Sequence, residues 1–253
     1  MDTEQYVKDI LENHFELTVE KIPETQTKTP DFFVTGEEEQ YLIEVKRKEA
    51  NPALEEAREE AFANDEMFEI SQTIDTTNIL QKVISNANKQ IRAHAEGDEL
   101  LRVIWVHCTG VAHEAIADQL ITGLYGSETI VSFGDSKQLS GNCYYFGHSQ
   151  FYRYHDIDAV MVTNQNDSAI LCLNNYSPRY ERMKGSKLAS KMTKGVRDPI
   201  VEAESGKALI VDGEVDRRNP EEVLRFLKDK YEEEKLMVMP MTHFEVHTAI
   251  PHQ

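Results

Sequence analysis

Asp31, Glu44 and Lys46 are the residues of this 253-residue chain whose types and spacing point most directly to chemistry. Asp31 follows Pro30, and after a gap of twelve residues Glu44 and Lys46 interrupt the apolar run Tyr41-Leu42-Ile43-Glu44-Val45-Lys46. In a strand, alternate side chains share a face, so Leu42, Glu44 and Lys46 point one way and Tyr41, Ile43 and Val45 the other. The second set packs into a core, and the first is expected to present a carboxylate and an ammonium to a cleft or to solvent. A hairpin turn centred between Glu37 and Glu38 places Asp31 opposite Glu44. Two carboxylates that close repel each other and raise one pKa unless a cation lies between them. Mg²⁺ takes oxygen ligands, keeps several waters, and completes its shell with one or two carboxylates and a substrate phosphate. Such an ion activates a water and polarises a phosphoryl oxygen, while a neighbouring lysine orients the water or neutralises charge developing on phosphorus. The chemistry that suits this trio is in-line hydrolysis of a phosphodiester.

Pro30-Asp31, the twelve-residue gap and Glu44-Val45-Lys46 within an apolar strand together resemble the PD-(D/E)xK motif of restriction-endonuclease-like nucleases. The surrounding order of elements is similar to that superfamily's core: helix, strand, two strands carrying the motif, helix, strand. The resemblance covers residues 1–110 and implies a Mg²⁺-dependent endonuclease, Mn²⁺ being able to substitute, that acts on nucleic acid and foremost on DNA. It implies Asp31, Glu44 and the Val45 carbonyl as metal ligands and Lys46 as a catalytic group. In members such as the archaeal Holliday-junction resolvases, a Glu of the first helix joins the site, six residues before an Ile-Leu-type pair. Glu4 stands in that relation to Ile10-Leu11, and Glu12 is the alternative. In several branches the second helix carries a Gln near the site, and Gln90 is the matching position. A homodimer is raised by family analogy alone, since double-strand cutting commonly uses two sites. Two other outcomes stand beside this one. The scaffold could serve as a non-catalytic binding or assembly module, or the match could be accidental, with Asp31 starting a turn and Glu44 pairing with Lys46 or Arg47 on a solvated edge.

The elements that must position these residues are legible as periodicities. Residues 4–14 read as an amphipathic helix with Val7, Ile10, Leu11 and Phe15 on one stripe and Thr3 as N-cap. Residues 16–22 alternate as a strand, Asp31 to Val34 and Tyr41 to Arg47 form a hairpin about Gly36, and 50–72 is an acidic helix or excursion. Asp75 is the candidate cap of a long helix ending near Gly97, with Leu80, Val83, Ile84, Ala87 and Ile91 on its buried face. Residues 100–108 are the strongest buried strand, followed by a helix from Ala112 to Leu124 closed by Gly126, and a strand at 129–133. The stretch from Cys143 to Cys172 is β-rich, 208–213 reads as a strand, and Asn219-Pro220 opens a helix that runs to about Glu234. The expected fold is α/β: a restriction-endonuclease-like core with a central mixed β-sheet flanked by helices, and an elaborated α+β C-terminal half. Residues 111–253 are expected to continue the same domain.

Composition bounds the partners. With 27 Lys and Arg against 45 Asp and Glu the formal charge is −18, so phosphate binding requires a local exception. Arg179, Arg182, Lys184, Lys187, Lys191, Lys194 and Arg197 against the single Glu181 supply one, at +6. They are the candidate nucleic-acid contacts; a solvated face is the plainer alternative. Three scattered cysteines fit a reducing cytosol, and the cytoplasm is the expected location. The N-terminal residues lack a signal-peptide pattern, and no apolar run reaches the roughly 18 residues of a membrane span. Gly206-Lys207 is not a P-loop, His243 and His247 lie in a strand-like alternation, and no Cys/His spacing suggests zinc. The aromatic clusters Tyr144-Tyr145-Phe146 and Phe151-Tyr152-Arg153-Tyr154 could stack bases, but such alternation more often serves a core.

Overall fold

The computed structural model describes residues 2–23, 28–73, 78–95, 97, 99–134, 140–239 and 244–249. Helix α1 (Thr3–Asn13) buries Val7 and Leu11, four residues apart, with Phe15 just beyond its end. Its N-cap is Asp2 and not the expected Thr3, because the Asp2 carboxylate accepts the Glu4 N–H at 3.1 Å and leaves Thr3 in the first turn. Strands β1 (Thr18–Lys21), β2 (Phe32–Thr35) and β3 (Gln40–Glu49) form an antiparallel meander. Its second turn is closed by the Gly36 N–H on the Glu39 carbonyl at 2.8 Å. Helix α2 (Pro52–Ala63) buries none of its residues. The acidic excursion is therefore partly as expected, but it also contains strand β4 (Phe68–Thr73).

Helix α3 (Asn78–His94) buries Ile84, Ala87 and Ile91 of the stripe read from the sequence, with Val83 partly buried, while Asp75 and the Leu80 side chain lie outside what is described. Strand β5 (Leu101–Thr109) is buried at every position but the last. Helix α4 (His113–Tyr125) ends at Gly126, whose φ of +60° and close approach to the Gly147 and His148 carbonyls leave no space for a Cβ. Then come β6 (Glu128–Ser132), β7 (Gly141–Tyr144), α5 (Gln150–Arg153), β8 (Ala159–Asn164) and β9 (Ala169–Leu173). The basic segment folds into two short helices, α6 (Tyr180–Gly185) and α7 (Lys187–Ser190), and strand β10 (Val196–Arg197). Helix α8 (Pro199–Glu204) and strand β11 (Leu209–Ile210) precede α9 (Pro220–Tyr231), which Asn219 caps as expected. Helix α9 stops at Tyr231, short of Glu234, because Glu232 turns left-handed. Strands β12 (Leu236–Val238) and β13 (Phe244–Ala249) follow, β13 pairing antiparallel with β4. His247 lies in β13, whereas His243 falls outside the described residues.

The main sheet runs β1-β2-β3-β5-β8-β9-β10, with β3, β5 and β8 parallel and antiparallel pairs on both flanks of that core. The fold is thus α/β with a mixed central sheet flanked by helices. Tyr41, Ile43 and Val45 of β3 pack with α1, α6 and α7, and Leu42 packs with α3 and α4 on the opposite face. Strand β5 is buried by both layers, which explains its unbroken apolar run. Strands β8, β9 and β10, all beyond residue 110, complete the sheet that β3 and β5 begin. No helix among the described residues is long and apolar enough to cross a membrane.

Candidate active site

The site begins with strand pairing. Strands β2 and β3 pair Phe32 with Ile43 and Thr35 with Gln40, so the register carried one residue further sets Asp31 across from Glu44. Asp31 is held by its backbone on both sides: its N–H donates to the Ile43 carbonyl at 3.1 Å, and its carbonyl accepts the Ile22 N–H at 2.9 Å. Its Oδ2 accepts the Val45 N–H at 2.6 Å. The main-chain groups of a strand residue face one side, so the Val45 carbonyl also points toward Asp31, where β2 has ended.

Glu44 differs from expectation. It faces neither cleft nor solvent but is 0% exposed, because β3 is an interior strand and α3 covers this face. Lys46 Nζ contacts Glu44 Oε1 and donates to Gln90 Oε1 of α3 at 3.2 Å. The Gln90 amide nitrogen in turn donates to the Thr29 carbonyl at 3.2 Å. Gln90 thereby ties the lysine to the chain segment that delivers Asp31. Glu44 Oε2 is buried and receives no N–H donor; the side-chain hydrogen bond left to Glu44 is with the Asp31 carboxyl, and it exists only while one of the two acids holds a proton.

Burial, opposed by Lys46 and reinforced by the Asp31 charge, pushes the Glu44 carboxyl up to about 7. The Asp31 carboxyl is also raised by burial, against the Val45 N–H and Lys46, which favour its charged form. Two facing carboxyls of this kind share a proton unless a cation replaces it. Two carboxylates and a main-chain carbonyl on the same side form the hard oxygen set suited to Mg²⁺ or Mn²⁺. Among the described residues, no three His, Cys, Asp or Glu gather tightly enough to hold a metal ion by themselves. The remaining coordination positions would therefore fall to main-chain, water and substrate oxygens.

The other sequence-derived residues scatter. Glu4 is near enough for its charge to raise Asp31, yet its carboxylate is paired with Lys21 at 2.6 Å. Glu12 is exposed and lies 3.8 Å from Lys8. The basic segment does not reach the site: α6 and α7 pack on the α1 face, opposite the face that carries Glu44 and Lys46. Arg179 is removed from the phosphate contacts altogether. It is 4% exposed and holds the buried Asp158 carboxylate at 2.9 Å. Lys184 is 3.2 Å from Asp198, Lys191 is 2.7 Å from Glu16, and Lys187 lies 3.9 Å from Glu37. Arg182 donates to the Glu99 carbonyl at 2.8 Å, Arg197 lies 3.6 Å from Glu202, and Lys194 is exposed. Most of this positive run ties the α1-side layer to acidic residues distant in sequence.

One signal passed unread in the sequence. The seventeen residues of α3 contain Lys82, Lys89 and Arg92 and no acidic residue, in a chain with 45 acids. Lys82 and Lys89 are exposed on the helix that also contributes Gln90 to the site. Compared with protein-family models, curated proteins and solved structures, the chain matches none.

Proposed function

We propose that this chain is a metal-dependent phosphodiesterase of PD-(D/E)xK type on a restriction-endonuclease-like core, hydrolysing the backbone of nucleic acid, with DNA as the first substrate to test. One observation carries this: Asp31 and Glu44 meet from neighbouring strands beside Lys46, close enough to hydrogen-bond only by sharing a proton, and one buried Glu44 oxygen lacks any N–H donor. Asp31, Glu44 and the Val45 carbonyl would hold Mg²⁺, or Mn²⁺ in its place. When bound, such an ion polarises a phosphoryl oxygen and lowers the pKa of an attacking water. Holding the ion would require Glu44 to shed the proton that burial favours; the ion, in place of Lys46, would then balance its carboxylate and leave the Lys46 ammonium to orient the water or meet charge on the phosphate. Gln90 is a positioning residue that fixes the Lys46 ammonium.

The test is plasmid nicking with Mg²⁺ or Mn²⁺. Glu44→Ala and Lys46→Ala are each expected to lower the rate by about a hundredfold or more; nicking that survives both substitutions overturns the catalytic roles of these two residues. The complete cover of Glu44 by α3 favours a second reading, a non-catalytic scaffold. That reading predicts a wild-type chain that folds, binds a partner and never cleaves.

A further inference from the structure

A cavity of about 680 Å³ opens where Gln81 of α3, residues 147–153 around α5, and the 215–218 loop before α9 come together. Arg153, Arg217 and Arg218 line it against one carboxylate, Asp216, in a chain whose net charge is −18. Arg217 is preorganised: its Nε donates to the Tyr145 carbonyl and its Nη2 to the Val211 carbonyl, both at 3.0 Å. Its guanidinium lies 4.2 Å from the centre of the Tyr152 ring, which remains 43% exposed. Of the two aromatic clusters noted in the sequence, Tyr144, Tyr145, Phe146 and Phe151 are core, and Tyr152 is the one that reaches this cavity. Gln150 also lines it; this side chain is 5% exposed, and its Oε1 has no hydrogen-bond partner. Arg218 forks onto Asp216, its Nε and Nη2 donating to the two carboxylate oxygens at 2.9 and 3.0 Å; both groups are at the surface, and a phosphate would have to share or displace this carboxylate.

Fixed guanidinium charge beside an exposed ring and an unpartnered amide oxygen is the chemistry that receives a nucleotide. The same helix serves the cavity and the carboxylates. Gln81 at the cavity wall and Gln90 at Lys46 are nine residues apart on α3, about 14 Å along the axis and on opposite sides of it, with Lys82 and Lys89 exposed on the side between them. A strand that follows the lysine side from one to the other must cover at least that distance, about four phosphates or more at the axial spacing of one B-form strand. We propose that the cavity seats a nucleotide of the substrate strand, its phosphate on Arg153 and Arg218 and its base against Tyr152, several nucleotides from the bond placed at Glu44. This deepens the phosphodiesterase reading and rests on it.

The experiment is fluorescence anisotropy of a labelled single strand of about a dozen nucleotides, in EDTA so that nothing is cut, with a labelled mononucleotide in parallel. Arg217 is left intact because it holds loop carbonyls. The double substitution Arg153→Ala/Arg218→Ala is expected to weaken strand binding at least tenfold and to flatten the salt slope by about 1.4, at roughly 0.7 per lost phosphate contact. Tyr152→Ala is expected to weaken it by about tenfold with the slope unchanged. Unchanged affinity and slope in the double variant, with the strand still cut in Mg²⁺, overturn the cavity assignment and leave the phosphodiesterase reading standing. Arginine-dependent binding of the mononucleotide alone overturns the strand assignment and makes the cavity a free-nucleotide site. Wild-type chain that binds neither probe overturns the proposal, and whether Glu44-dependent nicking persists decides separately on the reading beneath it.

Discussion

At the scale of single residues, Glu44 concentrates the energetics of the site. Its carboxyl is raised from the ordinary 4.5 to about 7 in the folded chain, so between those values the folded state binds more protons than the unfolded one. The protonated form stabilises the fold below pH 4.5, and that contribution is lost as pH rises through 7; Asp31, raised by the same burial, acts in the same direction. Metal-free protein is therefore expected to lose on the order of 2–3 kcal/mol between pH 5 and pH 8. Urea melts at the two pH values measure this loss. Glu44→Gln, which is neutral at both, should remove most of the difference; an unchanged difference in the variant would move the titrating group elsewhere. Lys46 and Gln90 form a second residue-level unit through their 3.2 Å hydrogen bond. Gln90→Ala is expected to lower the hydrolytic rate constant about tenfold with little change in KM, the mark of a group that places Lys46 and does not bind substrate. Steady-state kinetics on a labelled duplex separates the two parameters.

At the scale of elements, the β2–β3 hairpin was readable because its register follows from a turn and an alternating strand. That alternation also set Tyr41, Ile43 and Val45 into the α1-side core. What periodicity could not show was cover. A strand reading Leu-Ile-Glu-Val-Lys looks half-solvated, and only the packing of α3 reveals that both of its faces are buried. Strand β4 was hidden for a related reason: its pairing with β13 is a contact across most of the chain, which local composition does not encode. The basic run from Arg179 to Arg197 misled in the other direction, since charge along a sequence says nothing of Asp158, Glu16 or Asp198 waiting in space. Arg179 provides the check. Breaking a buried pair strands the remaining charge, so Arg179→Ala is expected to destabilise the fold by about 3–5 kcal/mol. Chemical denaturation would show it, and a stable variant with weakened nucleic-acid binding would restore the discarded role.

At the scale of the whole molecule, the sheet joins the two halves of the chain. Strand β5 pairs with β3 on one side and with β8 on the other, so a fragment ending at residue 110 would expose one edge of its most apolar strand. Such a fragment is expected to aggregate or stay unfolded, as near-UV circular dichroism would reveal, even though it contains every residue of the proposed motif. The charge of −18 has its own consequence. A surface this acidic attracts divalent ions weakly and everywhere, and only a residue-specific comparison separates a built site from that background. The decisive measurement is therefore calorimetric titration of Mn²⁺ into the full chain at pH 8, wild type beside Glu44→Gln. The proposed site predicts saturable uptake of one tighter ion per chain that disappears in the variant, with proton release growing as the pH is lowered toward 7. Identical isotherms for the two proteins, or a wild-type chain showing only the weak diffuse background, would contradict it.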